Sequence, residues 1–186
     1  SHLGIVPDSR RFTTFLIDIG SGNTKGGYFP YDNTTDFRLF NLNWGTKSTA
    51  NATEKRCDEF DKTLANYNRQ LYRVLVAAEE QDIIYAVNAS GAYNMNDYIA
   101  FSGGIAWAVA TLVRPESIGN SIVTGSYEDV LRFSETLYKN YPALSDGVLI
   151  KTIRNEGISS EAAAKEIKRV HQVFDQRVLM AGTGLL

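Results

Sequence analysis

The sequence is poor in the residues that build disulfide or metal-held frameworks. Its 186 residues include one cysteine, Cys57, and two histidines. A single cysteine excludes a disulfide framework and a cysteine-rich metal site, and it is typical of a free thiol in a reducing compartment. We interpret Ser1 and His2 as a tag remnant, and His171 falls on a predicted helix without a second metal ligand beside it. We therefore predict a cytoplasmic protein in which His171 is structural or faces solvent.

Strong charge of one sign and long apolar runs are also missing. The formal net charge is −2 at pH 7, and no stripe of Lys and Arg is present, so neither nucleic acid nor an anionic membrane is a predicted partner. The longest apolar stretch, Tyr98–Val113, contains Ser102 and two glycines and is too short to cross a bilayer. No basic segment followed by an apolar one opens the sequence, so we predict no signal peptide.

The hydrophobic content is ordinary at 44%, enough to build the core of one globular domain. We interpret residues 1–11 as a tag or linker and 12–186 as a single domain, because neither a repeat nor a flexible linker divides it. Its first three apolar segments are separated by turn residues and predict an antiparallel β meander. These segments are Phe12–Ile19, Asn23–Phe29 and Asp36–Trp44.

The remainder of the chain predicts a mixture of helices and further strands. Helices are predicted over Glu54–Gln81, Ile105–Val113, Tyr127–Tyr141 and Glu161–Phe174, and strands over Asp82–Val87, Asp97–Phe101 and Arg177–Met180. Ser126 is the predicted N-cap of the third helix, and Pro142 follows its end. A meander followed by mixed helices and strands predicts a three-layer α/β domain.

The stretch Asp18–Lys25, Asp-Ile-Gly-Ser-Gly-Asn-Thr-Lys, directly follows an apolar strand. Its glycines allow a tight turn whose backbone amides converge on an anion. Asp18 can hold Mg²⁺ through water molecules or orient a nucleophile near a phosphate, and Ser21 and Thr24 add hydroxyl donors. The stretch predicts either a phosphate loop or a polar hairpin turn that binds no ligand.

A second glycine element has a similar design. Ser102-Gly103-Gly104 lies between a predicted strand and a helix, where backbone amides form an anion site, unless the glycines only allow close packing. A third candidate, Gly182-Thr183-Gly184, follows the last predicted strand. Asp18 is the candidate catalytic residue and water-mediated Mg²⁺ ligand. The candidate phosphate-binding residues are Gly20, Ser21, Gly22, Asn23, Thr24, Lys25, Ser102, Gly103 and Gly104.

These motifs resemble a known family. The stretch Asp18–Lys25 is similar to the Asp-Ile-Gly-Gly-Gly-Ser-Thr-Glu phosphate loop of the exopolyphosphatase/guanosine-pentaphosphate phosphatase family, which belongs to the actin-like ATPase superfamily. Further segments that resemble the family, in order along nearly the whole chain, are Phe40–Thr46, Ile99–Gly104, Tyr127–Leu137 and Val178–Gly184. The resemblance points to the second of the family's two lobes. It implies a ribonuclease-H-like lobe of an actin-like fold that binds polyphosphate or a nucleotide together with Mg²⁺.

The resemblance also implies a partner lobe. The family closes its active site between two lobes, and the first lobe supplies a second Asp-x-Gly-Ser loop and the glutamate credited as general base. We therefore expect this lobe alone to bind phosphate weakly and to turn over poorly. The sequence leaves open whether two copies form a homodimer.

The chain departs from the family at three positions of the loop, where Lys25 replaces a glutamate, Ser21 a glycine and Asn23 a serine. A lysine or arginine at this position is common in the first phosphate loop of sugar kinases and of actin-like plasmid-segregation ATPases, which this stretch also resembles. That resemblance implies an N-terminal lobe whose missing partner is the nucleotide-binding lobe. Three functions therefore stay open. They are a hydrolase of phosphoric anhydrides, a lobe of an actin-like kinase or ATPase, and a non-catalytic domain that binds a ligand or a protein partner.

Overall fold

A mixed four-stranded sheet organises the described part of the chain. In the computed structural model, the described residues are 14–30, 36–91, 98–153 and 157–186. The strands are β1 (Thr14–Ile19), β2 (Thr24–Tyr28), β3 (Arg38–Leu42) and β4 (Tyr98–Ser102), in the order β3-β2-β1-β4. The pairs β1–β2 and β2–β3 are antiparallel, and β4 runs parallel to β1. The predicted meander is confirmed, as is the strand near Phe101. The predicted tag, residues 1–11, and the outer ends Phe12 and Asp97 of two predicted strands lie outside the described residues.

Helices make up most of the rest of the described chain. They are α1 (Thr46–Arg56), α2 (Leu64–Ala78), α3 (Ile84–Ser90), α4 (Gly104–Val113), α5 (Tyr127–Lys139), α6 (Asp146–Thr152), α7 (Ser160–Val173) and α8 (Gln176–Gly184). The predicted α/β class is confirmed. Among these helices, none combines the length and the apolar character that crossing a membrane requires.

Two predicted strands are wrong, because both segments are helical. The segment Asp82–Val87 belongs to a π turn, Glu79–Ile83, and to α3. A short apolar run has no period that separates a strand from a buried helix, and no glycine or proline stops the helix before Gly91, which adopts a left-handed conformation with φ 77°. The segment Arg177–Met180 lies in α8, whose N-cap Asp175 accepts a hydrogen bond from the amide of Val178.

The predicted helix Glu54–Gln81 is two helices. The first, α1, extends further toward the N-terminus, and its buried face consists of threonine and alanine side chains, so hydrophobic periodicity does not reveal it. The second, α2, carries the predicted apolar face, and its N-cap is Thr63, whose side chain accepts a hydrogen bond from the amide of Asn66. Helix α5 with its Ser126 cap and helix α7 are confirmed.

The core joins one face of the sheet to the helices. Ile19 of β1 belongs to a buried cluster with Leu71 of α2, Ile105 of α4 and Leu179 of α8. Arg177 of α8 makes further contacts with α1 and α2. Its guanidinium pairs with Glu54 of α1 at 2.8 Å and lies over the Tyr67 ring of α2 at 5.0 Å. The Tyr67 hydroxyl donates to the Arg177 carbonyl at 2.9 Å, and burial raises the pKa of Tyr67. Helix α8 is thus tied to α1 and α2.

Cys57 and His171 both make contacts within the protein. Cys57 is a buried free thiol. His171 donates through Nε2 to the carbonyl of Leu144 at 2.8 Å, and its Nδ1 lies 3.3 Å from the hydroxyl of Tyr141. Because both ring nitrogens have protein partners, the prediction that His171 is structural is confirmed.

A polar cluster begins α5 and makes stability depend on pH. The carboxylate of Asp129 accepts a hydrogen bond from the backbone amide of Ser126 at 3.0 Å and pairs with Arg114 and Arg132 at 2.8 Å each. The hydrogen bond from Ser126, followed by the bond from Arg114, lowers the pKa of Asp129 from 3.8 to about 2. Because the folded pKa lies below the unfolded one, the stabilisation is complete above the unfolded pKa and is lost as the pH falls toward about 2.

We expect Asp129→Asn to lower Tm at neutral pH, and we expect the difference from wild type to shrink between about pH 4 and pH 2. Thermal unfolding followed by circular dichroism at several pH values measures this difference. Glu135→Gln, which removes an exposed ion pair with Lys139, is the matched control and should change Tm little. A difference in Tm between Asp129→Asn and wild type that stays constant down to pH 2 would contradict the lowered pKa of Asp129.

Candidate functional site

The two glycine elements predicted from the sequence meet at one end of the sheet. Because β1 and β4 are parallel neighbours, both strands end at the same edge. There β1 leads into the hairpin turn 20–23, and β4 leads into Ser102-Gly103-Gly104. Asp18 is exposed between them, and the hydroxyl of Ser102 donates to its Oδ1 at 2.8 Å. The sheet register therefore brings the candidate carboxylate together with both turns.

The carbonyl groups of the hairpin turn face the start of α1. The carbonyl of Gly20 accepts from the amide of Thr46 at 2.9 Å, and that of Ser21 accepts from the amides of Lys47 and Ser48 at 2.8 and 3.1 Å. The first amides of a helix have no partner within the helix. Here the hairpin turn supplies those partners, so α1 holds the turn in a defined shape.

The backbone amides of the hairpin turn lie on the side of the turn that faces away from α1. In a trans peptide the carbonyl and the N–H point in opposite directions. With the carbonyls of Gly20 and Ser21 directed at α1, the amides of Ser21 and Gly22 point away from it, and neither donates to a backbone carbonyl within the described residues. Successive outward amides of this kind are the donors of an anion-binding nest.

The second turn depends on Gly103. Its φ of 98° and ψ of 173° lie in a region that only glycine occupies readily. A Cβ there would contact the carbonyl oxygen of Ile19 and lie 3.1 Å from Oδ1 of Asp18, and a Cβ on Gly104 would lie 3.1 Å from the ring of Phe174. Close packing thus accounts for both glycines, and anion binding at the start of α4 stays a prediction.

A row of polar residues crosses all four strands beside the turns. The register pairs Asn41 with Lys25, Lys25 with Asp18, and Asp18 with Ser102. Residues directly opposite each other on neighbouring strands have side chains on the same face, so the Lys25 cation belongs to the same surface as Asp18. Lys25 therefore lies on β2, not in the turn itself. Asn23 is joined to this row, because its side-chain amide donates to Oδ1 of Asn41 at 3.3 Å.

Two predicted phosphate donors have their hydroxyl protons engaged by the protein. Thr24 is buried and donates to the carbonyl of Trp44 at 2.6 Å, and Ser102 donates to Asp18. Since a hydroxyl donates one hydrogen bond, neither side chain has a second proton for a phosphate. Thr24 fixes the start of β2, and Ser102 orients Asp18.

The third glycine candidate is not a loop. Gly182 and Thr183 are buried within α8, and a Cβ on Gly182 would lie 2.6 Å from Cγ1 of Ile105. The prediction that Gly182-Thr183-Gly184 forms a turn after a strand is wrong, because the preceding segment is helical.

Three residues that support the hairpin turn were not predicted as part of the site. A Cβ on Gly45 would lie 2.6 to 2.7 Å from three backbone atoms of the turn, so Gly45 allows α1 to approach. The indole of Trp44 donates to Oδ2 of Asp82 at 2.6 Å. Ser48 accepts from the amide of Gly45 at 2.8 Å. Gly45 at the N-cap with Ser48 at the third helical position departs from the Ser/Thr-x-x-Glu/Gln pattern of a capping box, so no strong sequence signal marks this start.

The oxygen ligands near Asp18 can be compared with those that magnesium takes in proteins. No cluster of three or more His, Cys, Asp or Glu side chains that could hold a metal occurs within residues 14–30, 36–91, 98–153 and 157–186. Asp18 has one oxygen, Oδ1, engaged by Ser102, which leaves Oδ2 for water or a cation. Mg²⁺ is commonly held by one or two carboxylates together with waters and substrate phosphates. The residues therefore fit a magnesium ion that is shared with a bound phosphate, but not one in a protein cage.

Comparisons of the chain with protein-family models, with curated proteins and with solved structures found no match. A function for the chain is therefore argued from the geometry around Asp18 together with the sequence resemblance of Asp18–Lys25.

Proposed function

We propose that this chain is a phosphate-binding lobe of an exopolyphosphatase-like hydrolase, acting on the phosphoric anhydrides of polyphosphate or guanosine pentaphosphate. The observation that carries the proposal is the convergence at Asp18 of two turns, the hairpin 20–23 with its outward amides and Ser102-Gly103-Gly104. A carboxylate beside converging amides suits a ligand that has both phosphate groups and a bound cation.

The fold supports a ribonuclease-H-like lobe of an actin-like protein. Such a lobe is expected to begin with an antiparallel meander and to continue with mixed strands and helices, and the order β3-β2-β1-β4 with β4 parallel to β1 agrees with this expectation. The segment Val178–Gly184, matched to a family strand by the resemblance, contributes no support because it is helical.

Each group at the site has a separate role in the proposed chemistry. The amides of Ser21 and Gly22 and the cation of Lys25 bind phosphate oxygens, and Asp18 orients water at the phosphate or holds the waters of a metal ion. A magnesium ion, when bound, neutralises charge on the phosphates. Catalysis requires a general base from a partner lobe, so this lobe alone binds its ligand and turns it over poorly.

Lys25 favours a second candidate, a lobe of an actin-like kinase or ATPase. Its position directly across from Asp18 puts a cation where the hydrolase family has a carboxylate. A cation there supports the binding of ATP phosphates and adds no group that activates water. The substrate that is bound best, polyphosphate or ATP, separates the two candidates.

We expect tripolyphosphate or ATP, each with Mg²⁺, to raise the Tm of the protein and Asp18→Ala to abolish the rise. A ligand at about 100 times its dissociation constant adds about 2.7 kcal/mol to the free energy of unfolding, which is about 5 to 10 °C for a domain of this size. Differential scanning fluorimetry with increasing ligand measures the shift.

Two variants make this test specific. Asp18→Asn keeps an acceptor for the Ser102 hydroxyl and should still lose most of the Mg²⁺-dependent rise, whereas Glu128→Gln, at an exposed position of α5, should retain it. The absence of any rise in the wild-type protein at millimolar ligand would leave a non-catalytic domain that binds another ligand or a protein partner.

A further inference from the structure

A π turn presents a carboxylate to the segment that supports the hairpin turn. Helix α2 does not continue regularly into α3, since Glu79–Ile83 between them forms a π turn. Such turns are rare in proteins and occur frequently at functional sites. Asp82 of this turn is exposed, and its Oδ2 accepts from Nε1 of Trp44 at 2.6 Å, a contact between residues 38 positions apart.

Trp44 connects Asp82 to the hairpin turn. Its indole is bonded to Asp82, and its carbonyl accepts from the hydroxyl of Thr24 at 2.6 Å, at the first residue of β2. The next residue, Gly45, lies against the backbone of the turn. Trp44 is therefore held on one side by the π turn and on the other by the strand that leaves the hairpin.

We infer that Asp82 is a positioning residue for phosphate binding. By holding the indole of Trp44, it keeps the start of α1 against the turn, so that the amides of Ser21 and Gly22 stay directed outward. Neither Asp82 nor Trp44 touches the ligand. The inference rests on the proposed function, because it assigns Asp82 a role only if the hairpin turn binds phosphate.

Because the Asp82 side chain is exposed, a role in positioning the turn can be distinguished from a role in the stability of the whole fold. Loss of one hydrogen bond at a solvent-exposed position weakens the whole fold only slightly. The same loss at the support of the turn changes how its amides are directed, and amides that are not held in place bind an anion less tightly. A large effect on affinity with a small effect on Tm is therefore the signature of positioning.

The test compares three variants with the wild-type protein by calorimetric titration with tripolyphosphate and with ATP, each with Mg²⁺. Asp82→Ala is expected to weaken binding about tenfold, because the amides of the turn are then no longer held in place, and to lower Tm by only about 1 to 2 °C, because the lost bond is solvent-exposed and contributes little to the stability of the fold. Asp82→Asn keeps an acceptor for the indole and should bind within about threefold of wild type. Glu80→Ala removes a neighbouring exposed carboxylate of the same turn and should leave the affinity unchanged.

Tryptophan fluorescence reports the contact itself. The protein has two tryptophans, so Trp107→Phe leaves Trp44 as the single tryptophan, which is excited selectively at wavelengths that tyrosine does not absorb. In this background Asp82→Ala should shift the Trp44 emission, whereas Glu80→Ala should not.

Binding by the wild-type protein tests the proposed function, and binding by the variants tests the positioning role of Asp82. If Asp82→Ala shifts the emission but binds both ligands as tightly as wild type, the contact exists without a positioning role and the inference is wrong. An unchanged emission would show that the hydrogen bond between Trp44 and Asp82 is absent, and the inference would be wrong for that reason. Failure of the wild-type protein to bind either ligand would instead disprove the proposed function, and the role of Asp82 with it.

Discussion

Gly103→Ala is expected to lower the free energy of unfolding by about 4 kcal/mol, because backbone strain and steric overlap each cost about 1 to 3 kcal/mol. Gly103 has φ 98° and ψ 173°, which an alanine adopts only with strain. Its Cβ would also press on the carbonyl oxygen of Ile19 and lie 3.1 Å from Oδ1 of Asp18. The backbone at this edge of the sheet must then move, and the Ser102–Asp18 hydrogen bond moves with it.

Chemical denaturation followed by circular dichroism measures this loss, and the corresponding fall in Tm is about 10 °C. Gly147→Ala is the matched control. A Cβ on Gly147 meets no atom within 4 Å, and the residue lies in the first turn of α6, where alanine is a better helix former than glycine. The control should therefore keep or raise stability. A Gly103→Ala protein as stable as wild type would contradict both the positive φ of residue 103 and its close approach to the carbonyl of Ile19.

Gly45→Ala is expected to abolish phosphate binding and to lower the free energy of unfolding by about 2 to 3 kcal/mol, within the range of overpacking in a tightly packed region. The φ of Gly45 is −138°, which any residue can adopt, so the effect comes entirely from contact. A Cβ would lie 2.6 Å from the amide nitrogen of Asn23 and from the carbonyl oxygen of Gly20, and 2.7 Å from the amide nitrogen of Gly22. All three are backbone atoms, which cannot rotate out of the way as a side chain can.

Gly22→Ala is the control within the same turn. Its Cβ would meet no protein atom within 4 Å, so the fold should keep its wild-type Tm, while the methyl group occupies space next to the outward amides. Gly45→Ala should thus lose both stability and binding, and Gly22→Ala should lose binding alone. Titration of both variants with tripolyphosphate and Mg²⁺ distinguishes them. Wild-type affinity in Gly45→Ala would show that the approach of α1 does not direct the amides of the turn.

The meander and the Asp18 turn could be predicted from local sequence. The first three strands have apolar runs or alternating side chains, and glycines mark the reversal between β1 and β2, so neighbours in the chain suffice to predict them. The caps of α5 and α7 are local in the same sense, because the Ser126 and Ser159 hydroxyls each bond to an amide three residues later.

Helices α3 and α8 could not be predicted in this way. The segments Asp82–Val87 and Arg177–Met180 are short and apolar, and such runs suit a strand or a buried helix equally. Packing decides between the two, and for α8 the contacts of Arg177 with Glu54 and Tyr67 contribute to that packing. Helix α1 was placed too late in the chain because its buried residues are threonines and alanine.

For the site, local sequence was enough to select Asp18 and both turns as candidates, because glycines that directly follow an apolar run favour a turn and expose the polar residues beside it. The same kind of motif at Gly182-Thr183-Gly184 was misleading, because the segment before it is helical. Only the tertiary structure decided which groups meet. The parallel pairing of β1 with β4 joins Ser102 to Asp18, 84 residues apart in the chain. The approach of α1 at Gly45 directs the hairpin amides outward, and the π turn brings Asp82 to Trp44. Contacts between distant residues depend on strand register and helix packing, which the energy of the whole core sets and no local pattern encodes.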